Sequence, residues 1–152
     1  MINSFKNQHK FLSNFYQVSI NFEGIIYPTV EHVYQAAKSF DTIYRDKISS
    51  IPWYKPGTAK MYGNKVKIRP DWEKVKVDIM KKLLYKKFMY PDLSNLLLQT
   101  EDDYLEEGNF WHDNFWGNCR CKKCKDIPGQ NMLGKLLMDV REELKEDTNG
   151  KD

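Results

Sequence analysis

Apolar and polar positions alternate early in the chain. Val18, Ile20 and Phe22 interleave with Ser19, Asn21 and Glu23, the two-residue period of a strand with one buried face. Glu23-Gly24 reads as a hairpin turn and Ile25-Ile26-Tyr27 as the returning strand, within a stretch, 11–27, that reads as extended. After Pro28 the period changes. Val30, Val33, Tyr34 and Ala37 fall at helical spacing over 30–40, with Thr29 in the N-cap position. Asp41 is placed to cap a second helix through Ile51, and Pro52 and Pro56-Gly57 then interrupt the pattern.

One or two helical turns follow over Thr58–Tyr62, stopping at Gly63. The longest periodic segment predicts a helix over 72–89, capped by Asp71. Its buried stripe is Val75, Ile79, Leu83 and Leu84, and its lysines line a solvated face. Pro91-Asp92 opens a helix through Leu98. Residues 100–130 are loop-rich, with one strand expected near Tyr104-Leu105-Glu106. A last helix is expected over 131–145, with Leu133, Leu136, Leu137, Val140 and Leu144 inward.

These elements predict an α+β fold: a compact, mostly helical single domain over 1–152 with a small antiparallel sheet. The core spans about 9–145, and a polar, frayed tail covers 146–152. Composition agrees, since 41% of the residues are hydrophobic and 14% aromatic, which marks a folded globular chain. The net charge of +3 is too mild to indicate a nucleic-acid binder by itself, but it does not repel phosphates. The sequence has neither an eighteen-residue apolar run nor a leader-like start, so the expectation is a cytoplasmic protein with no membrane span. Three clustered cysteines argue against a disulfide framework.

Two carboxylates stand out. Glu31 lies in the first turn of its helix, where the dipole favours negative charge; it is either a dipole complement or a carboxylate at a pocket rim. Asp113 lies between Trp111 and Trp116, suited to acid–base work or to shaping an Asx-turn. Trp116 followed by Gly117 offers a flat ring beside an exposed backbone, a platform for a nucleobase, with a core tryptophan as the alternative. Lys65, Lys67 and Arg69 share one face of an extended segment, fit to hold a phosphate or to form a solvated basic edge. Gly129-Gln130-Asn131-Met132-Leu133-Gly134 opens the last helix, with Asn131 either binding a ligand or serving as N-cap. Cys119, Cys121 and Cys124 form C-x-C-x2-C, and His112 lies seven residues upstream. Together they match a tetrahedral zinc set, with free thiols as the alternative.

Several segments, taken in order, carry a resemblance: Phe11-Leu12-Ser13-Asn14-Phe15, Tyr27-Pro28-Thr29-Val30-Glu31-His32 with Gln35-Ala36-Ala37-Lys38, and Arg69-Pro70-Asp71-Trp72. Lys87-Phe88, Leu105-Glu106-Glu107 with Asn109, Asp113-Asn114-Phe115-Trp116-Gly117, and Gly129 to Gly134 with Leu137-Met138 and Arg141 complete the set. Together they resemble the NADAR, or YbiA-like, family from Phe11 to about Leu144.

The resemblance implies hydrolysis of an N-glycosidic bond in a nucleotide-like molecule. It links two substrate classes: ADP-ribose attached to guanine, including ADP-ribosylated DNA, and a phosphorylated pyrimidine intermediate of riboflavin synthesis. It implies Glu31 and Asp113 as the catalytic pair, either taking either role, because an oxocarbenium-like state needs a carboxylate near C1 and an oriented water. Substrate contacts are implied at Asn14, Phe15, Lys67, Arg69, Trp72, Asn109, Trp116, Gly117, Asn131 and Gly134. No cofactor is required for the chemistry on this reading, and any zinc is structural. Two other readings stand beside it: a non-catalytic module that grips an ADP-ribose-like nucleotide, and a zinc-stabilised interaction domain. Many family members carry Gly-Arg where this chain has Gly63-Asn64, and the cysteine cluster is not general to them.

Overall fold

The computed structural model describes residues 1–149. Among them are six α-helices and two pairs of short strands, distributed over two compact units: residues 14–87, and residues 1–13 with 88 onward.

The 14–87 unit begins with the hairpin. Strands β1 (Ile20–Phe22) and β2 (Ile25–Tyr27) pair antiparallel in the register Ile20 to Tyr27 and Phe22 to Ile25. Glu23 and Gly24 both take positive φ, 49° and 89°, which lets a two-residue turn match the twist of the strands. Ile20, Phe22 and Tyr27 are buried and Ile26 is exposed, so the alternation seen in the sequence decides the faces.

Helix α1 (Val30–Ala36) is buried along its whole length. It packs against α2 (Thr42–Ser49), α3 (Pro56–Gly63), α4 (Trp72–Lys87) and the hairpin. Thr29 caps it, its hydroxyl accepting from the His32 N–H at 3.0 Å. The helix stops at Ala36 rather than continuing to 40. The Lys38 carbonyl accepts from the Arg69 N–H at 2.7 Å and the Ala37 carbonyl from the Arg69 guanidinium at 3.4 Å, so the open carbonyls past the helix end are satisfied from outside.

Asp41 caps α2 as expected, accepting from the Ile43 N–H at 2.9 Å. Asp71 starts α4 through its carbonyl, while its carboxylate pairs in bidentate fashion with Arg69 at 2.6 and 2.9 Å. The α4 stripe is Trp72, Ile79, Met80, Leu83 and Leu84, with Val75 only half-buried. Lys87 departs furthest from the solvated face: it is fully buried, and burial pushes its ammonium down to about 7.

In the other unit, residues 7–12 form a 3-10 helix rather than extended chain. It packs against α5 (Pro91–Leu98), which in turn packs on α6 (Met132–Asn149). Leu105 makes a single parallel bridge to Ile2. The strand of this region comes later, where β3 (Gly108–Asn109) pairs parallel with β4 (Asn118–Cys119). Helix α6 runs to Asn149, four residues past the expected end. Lys145 ties it to Asp102 at 2.7 Å, and Arg141 holds Thr100 and the Asp103 carbonyl at 2.8 Å each. Leu133, Leu136, Leu137 and Val140 face inward as the period predicts, and Leu144 is half-buried. Of the expected tail, 150–152 lie outside the described residues.

Candidate functional site

Helix α1 brings polar side chains into the interior of the 14–87 unit, where an unpaired polar group costs free energy. Glu31 and Gln35 lie one turn apart, and the Gln35 amide donates to the Glu31 carboxylate at 2.7 Å. The Glu31 N–H donates to the Asn14 carbonyl at 3.0 Å, which ties the 14–15 segment to the helix start. Two acceptors here, Asn14 Oδ1 and Gln35 Oε1, are buried without a hydrogen-bond partner. Gly63 makes room for this amide: a Cβ there would overlap Gln35 Oε1.

Lys38, one further turn along, completes the cluster. Burial lowers its pKa, the Glu31 charge opposes that, and the like charges of Lys60 and Lys76 add to the lowering. Lys76 is itself paired with Glu73 at 2.7 Å. Lys38 thus has one carboxylate and two further cations as charged neighbours, in the same unit as two acceptors without partners.

Beside His32 the chemistry is structural. Its ring bridges the Thr29 hydroxyl at 2.6 Å and the Ile51 carbonyl at 3.0 Å, and burial lowers its pKa, so the neutral ring pins the helix start. The same unit opens an aromatic cleft of about 720 Å³ lined by Phe15, Trp53, Tyr54, Lys55, Pro56, Gly57 and Thr58. Phe15, Trp53 and Tyr54 are all exposed, offering faces on which a ring can stack.

The remaining expected residues of this unit have other duties. Arg69 pairs with Asp71 and lies over the Phe40 ring at 4.0 Å, so its guanidinium is already engaged. Trp72 is buried against Tyr34, their ring centroids 5.0 Å apart. Lys67 is exposed.

In the other unit the loop between β3 and β4 is built by its own amides. Asn109 is buried. Its Oδ1 accepts from the Trp111 and Asp113 N–H groups, and its Nδ2 donates to the Asp113 carbonyl at 2.8 Å. Asp113 Oδ1 accepts from the Phe115 and Trp116 N–H groups at 3.1 and 2.9 Å, an Asx-turn that shapes the loop. Trp116 is half-buried, edge-on to Phe115 at 4.8 Å. Gly117, expected to show open backbone, is buried instead, because a Cβ there would overlap the Glu107 carbonyl.

Asn131, also buried, accepts from the Glu107 N–H at 2.9 Å and donates to the Leu105 carbonyl at 2.8 Å. Gly134 packs tightly against the same Leu105 carbonyl.

His112, Cys119, Cys121 and Cys124 converge. Their ligand atoms all lie within 4.8 Å of one another, and the group could hold a metal ion. None of the three cysteines is in a disulfide.

Of the residues expected at a site, Asn14 and Glu31 meet in one unit, and the metal set meets in the other. Sequence reading takes Gln35 and Lys38 only as motif residues and does not single out Lys60, Lys76, Trp53 or Tyr54. Gln35 was findable, since it follows Glu31 at i+4 on one helix face, whereas Lys38 lies in the turn past the end of α1. Lys60 and Lys76 come from other helices and carried no such signal. Among the described residues no helix is long and apolar enough to cross a membrane.

The chain is 37% identical over 137 residues to the N-glycosidase Npun_R5314 of Nostoc punctiforme, covering 88% of this chain and 84% of that protein. It is 35% identical over 139 residues to a riboflavin biosynthesis protein of Vibrio vulnificus, covering 91% of this chain but 36% of the relative. It thus spans well under half the length of the riboflavin-named relatives. The solved NMR structure of the Escherichia coli protein YbiA superposes with a TM-score of 0.79 at 32% identity, covering 97% of this chain and 89% of that one. The NADAR domain family matches residues 2–145, nearly the whole sequence, and the chain belongs to that family.

Proposed function

We propose that this chain hydrolyses the N-glycosidic bond of a nucleotide-like substrate, with Glu31 as its central carboxylate. The observation that carries the reading is the α1 cluster: a buried Glu31 fixed by Gln35, two buried acceptors without partners, and Lys38, whose charged neighbours are Glu31, Lys60 and Lys76. The names of the N-glycosidase relatives support the same reaction class.

In the proposed step the bond between sugar C1 and the base nitrogen breaks, and its electron pair leaves with the base, which takes up a proton. The Glu31 carboxylate faces the positive charge that develops at C1 and takes a proton from the water whose oxygen adds there; passing that proton on to the departed base nitrogen restores the carboxylate. Asn14 Oδ1 and Gln35 Oε1 accept from sugar hydroxyls. Lys38, Lys60 and Lys76 hold the phosphate groups. The role first given to Lys67 and Arg69 thereby moves to these residues, because Arg69 is engaged by Asp71. Asp113, with one oxygen bound to two backbone N–H groups, acts as a positioning residue for its loop. No step requires a metal or redox cofactor, since water and proton transfers complete the balance.

For the substrate we favour ADP-ribose attached to guanine, including ADP-ribosylated DNA. Three cations match a pyrophosphate, and the aromatic cleft supplies stacking faces for a base. The riboflavin naming of relatives favours a second substrate, the phosphorylated pyrimidine intermediate.

Mass spectrometry on both substrates tests the choice. The expected result is free ADP-ribose and restored guanine, with Lys38→Met raising KM at least tenfold. Cleavage of the pyrimidine intermediate alone would replace the substrate. Tight ADP-ribose binding without product from either would overturn the enzymatic reading in favour of a binding module.

A further inference from the structure

We propose that His112, Cys119, Cys121 and Cys124 form a closed, four-ligand structural zinc site that fixes the loop carrying Asp113 and Trp116. The inference is independent of the glycosidase reading.

The geometry is that of a coordination shell. His112 Nδ1 lies 3.3 Å from Cys121 Sγ, 3.4 Å from Cys124 Sγ and 4.0 Å from Cys119 Sγ. A tetrahedral zinc with bonds of about 2.3 Å to sulfur and about 2.05 Å to nitrogen separates those ligand atoms by roughly 3.6 Å. The observed distances bracket that value. All four ligand atoms fall within 4.8 Å of one another, so one ion reaches all of them.

Each ligand is delivered by a distinct backbone feature. His112 takes a left-handed φ of 68°, an uncommon conformation for a residue with a Cβ, and this turns its ring to the sulfurs. Cys119 is fixed in β4, and its sulfur accepts from the His112 N–H at 3.3 Å, a contact that suits a thiolate better than a thiol. Cys121 precedes and Cys124 ends a one-turn 3-10 helix, Lys122–Cys124, which folds the third sulfur back to the first.

The donor set of three thiolates and one imidazole is a zinc set, and with four protein ligands no position remains for water or substrate. Binding displaces three thiol protons and leaves the complex with one net negative charge. Lys122, Lys123 and Lys125 lie between and beside the cysteines and offset it, while Arg120 is paired with Glu106 at 3.0 Å. Two of the sulfurs are buried, and the loop they close contains Asp113, Asn114, Phe115 and Trp116. The metal therefore does for this loop what a larger apolar core would otherwise do.

Elemental analysis of the purified full chain under reducing conditions should find one zinc per chain. Replacing it with Co2+ should give the intense visible bands of tetrahedral cobalt together with a sulfur-to-cobalt charge-transfer band. Stripping the metal with a chelator should release the loop, read as a shift in tryptophan emission and a fall in Tm, both reversed by adding zinc. Cys121→Ser, which changes the most accessible of the three sulfurs, should lower zinc affinity at least tenfold.

A folded, metal-free protein with three titratable thiols that takes up no Co2+ would overturn the proposal. So would a disulfide among these cysteines, an octahedral cobalt spectrum, or iron in place of zinc. Should the Cys121→Ser chain fail to fold, the cobalt spectrum of the unaltered protein decides.

Discussion

Around α1, Glu31, Gln35 and Lys38 lie inside the 14–87 unit beside acceptors that no protein group satisfies, and cations crowd one another there. Around the β3–β4 loop, Asn109, Asp113 and Asn131 are equally conspicuous in the sequence, yet each is bonded to nearby backbone. A polar residue whose bonds close on its own chain builds the fold. One held in the interior with capacity to spare is, on the proposed reading, available to a ligand, which would offset its desolvation cost. The contrast separates scaffold from site within a set of motif residues that the sequence presents alike.

The sharpest way to break that contrast is Glu31→Gln. The amide keeps the size and most of the packing but cannot take a proton, so kcat should fall about 10²–10⁴-fold with an unchanged circular dichroism spectrum. A loss under tenfold would remove Glu31 from the mechanism.

Asn131→Ala probes the scaffold side. It leaves the Glu107 N–H and the Leu105 carbonyl without their partner and should destabilise the protein by about 1–3 kcal/mol in urea denaturation. Substrate KM in the surviving folded fraction should not move; a large KM effect with intact stability would make Asn131 a ligand contact.

Lys87 sharpens the picture through pH. An unfolded lysine keeps its proton up to its ordinary 10.5, whereas the buried one gives it up from about 7. Between those values the unfolded chain binds more protons, so stability rises with pH across that window and is lost as pH falls through 7. Chemical denaturation at pH 7 and pH 9 should show the rise in the natural protein and a flattened profile in Lys87→Met. Equal slopes would show that the ammonium stays charged in the fold.

The smallest expected effect is that of Asp113→Asn. Asparagine Oδ1 can still accept from the Phe115 and Trp116 N–H groups, so the turn survives and kcat should change less than tenfold. A drop as large as that of Glu31→Gln would return Asp113 to the catalytic pair.

Much of this was legible in the chain. The hairpin, the Thr29 and Asp41 caps and the α5 start at Pro91 follow from short-range rules, because a cap or a tight turn is decided within four residues. The C-x-C-x2-C set with His112 was visible because its ligands lie within thirteen residues and metal spacing is a local signature. Where local propensity met a distant partner, it misled. Arg69 ends α1 from more than thirty residues away, and Lys145 extends α6 through Asp102.

Sequence alone thus determined family, fold class and most helices, because periodicity, capping and ordered motifs are properties of neighbours along the chain. Only the tertiary structure decided that Lys38 has Glu31, Lys60 and Lys76 as charged neighbours, that Lys87 is buried while Lys86 beside it is exposed, and that Gly117 is packed against the Glu107 carbonyl. Charge convergence and burial are set by distances between elements far apart in sequence, and no local pattern encodes them.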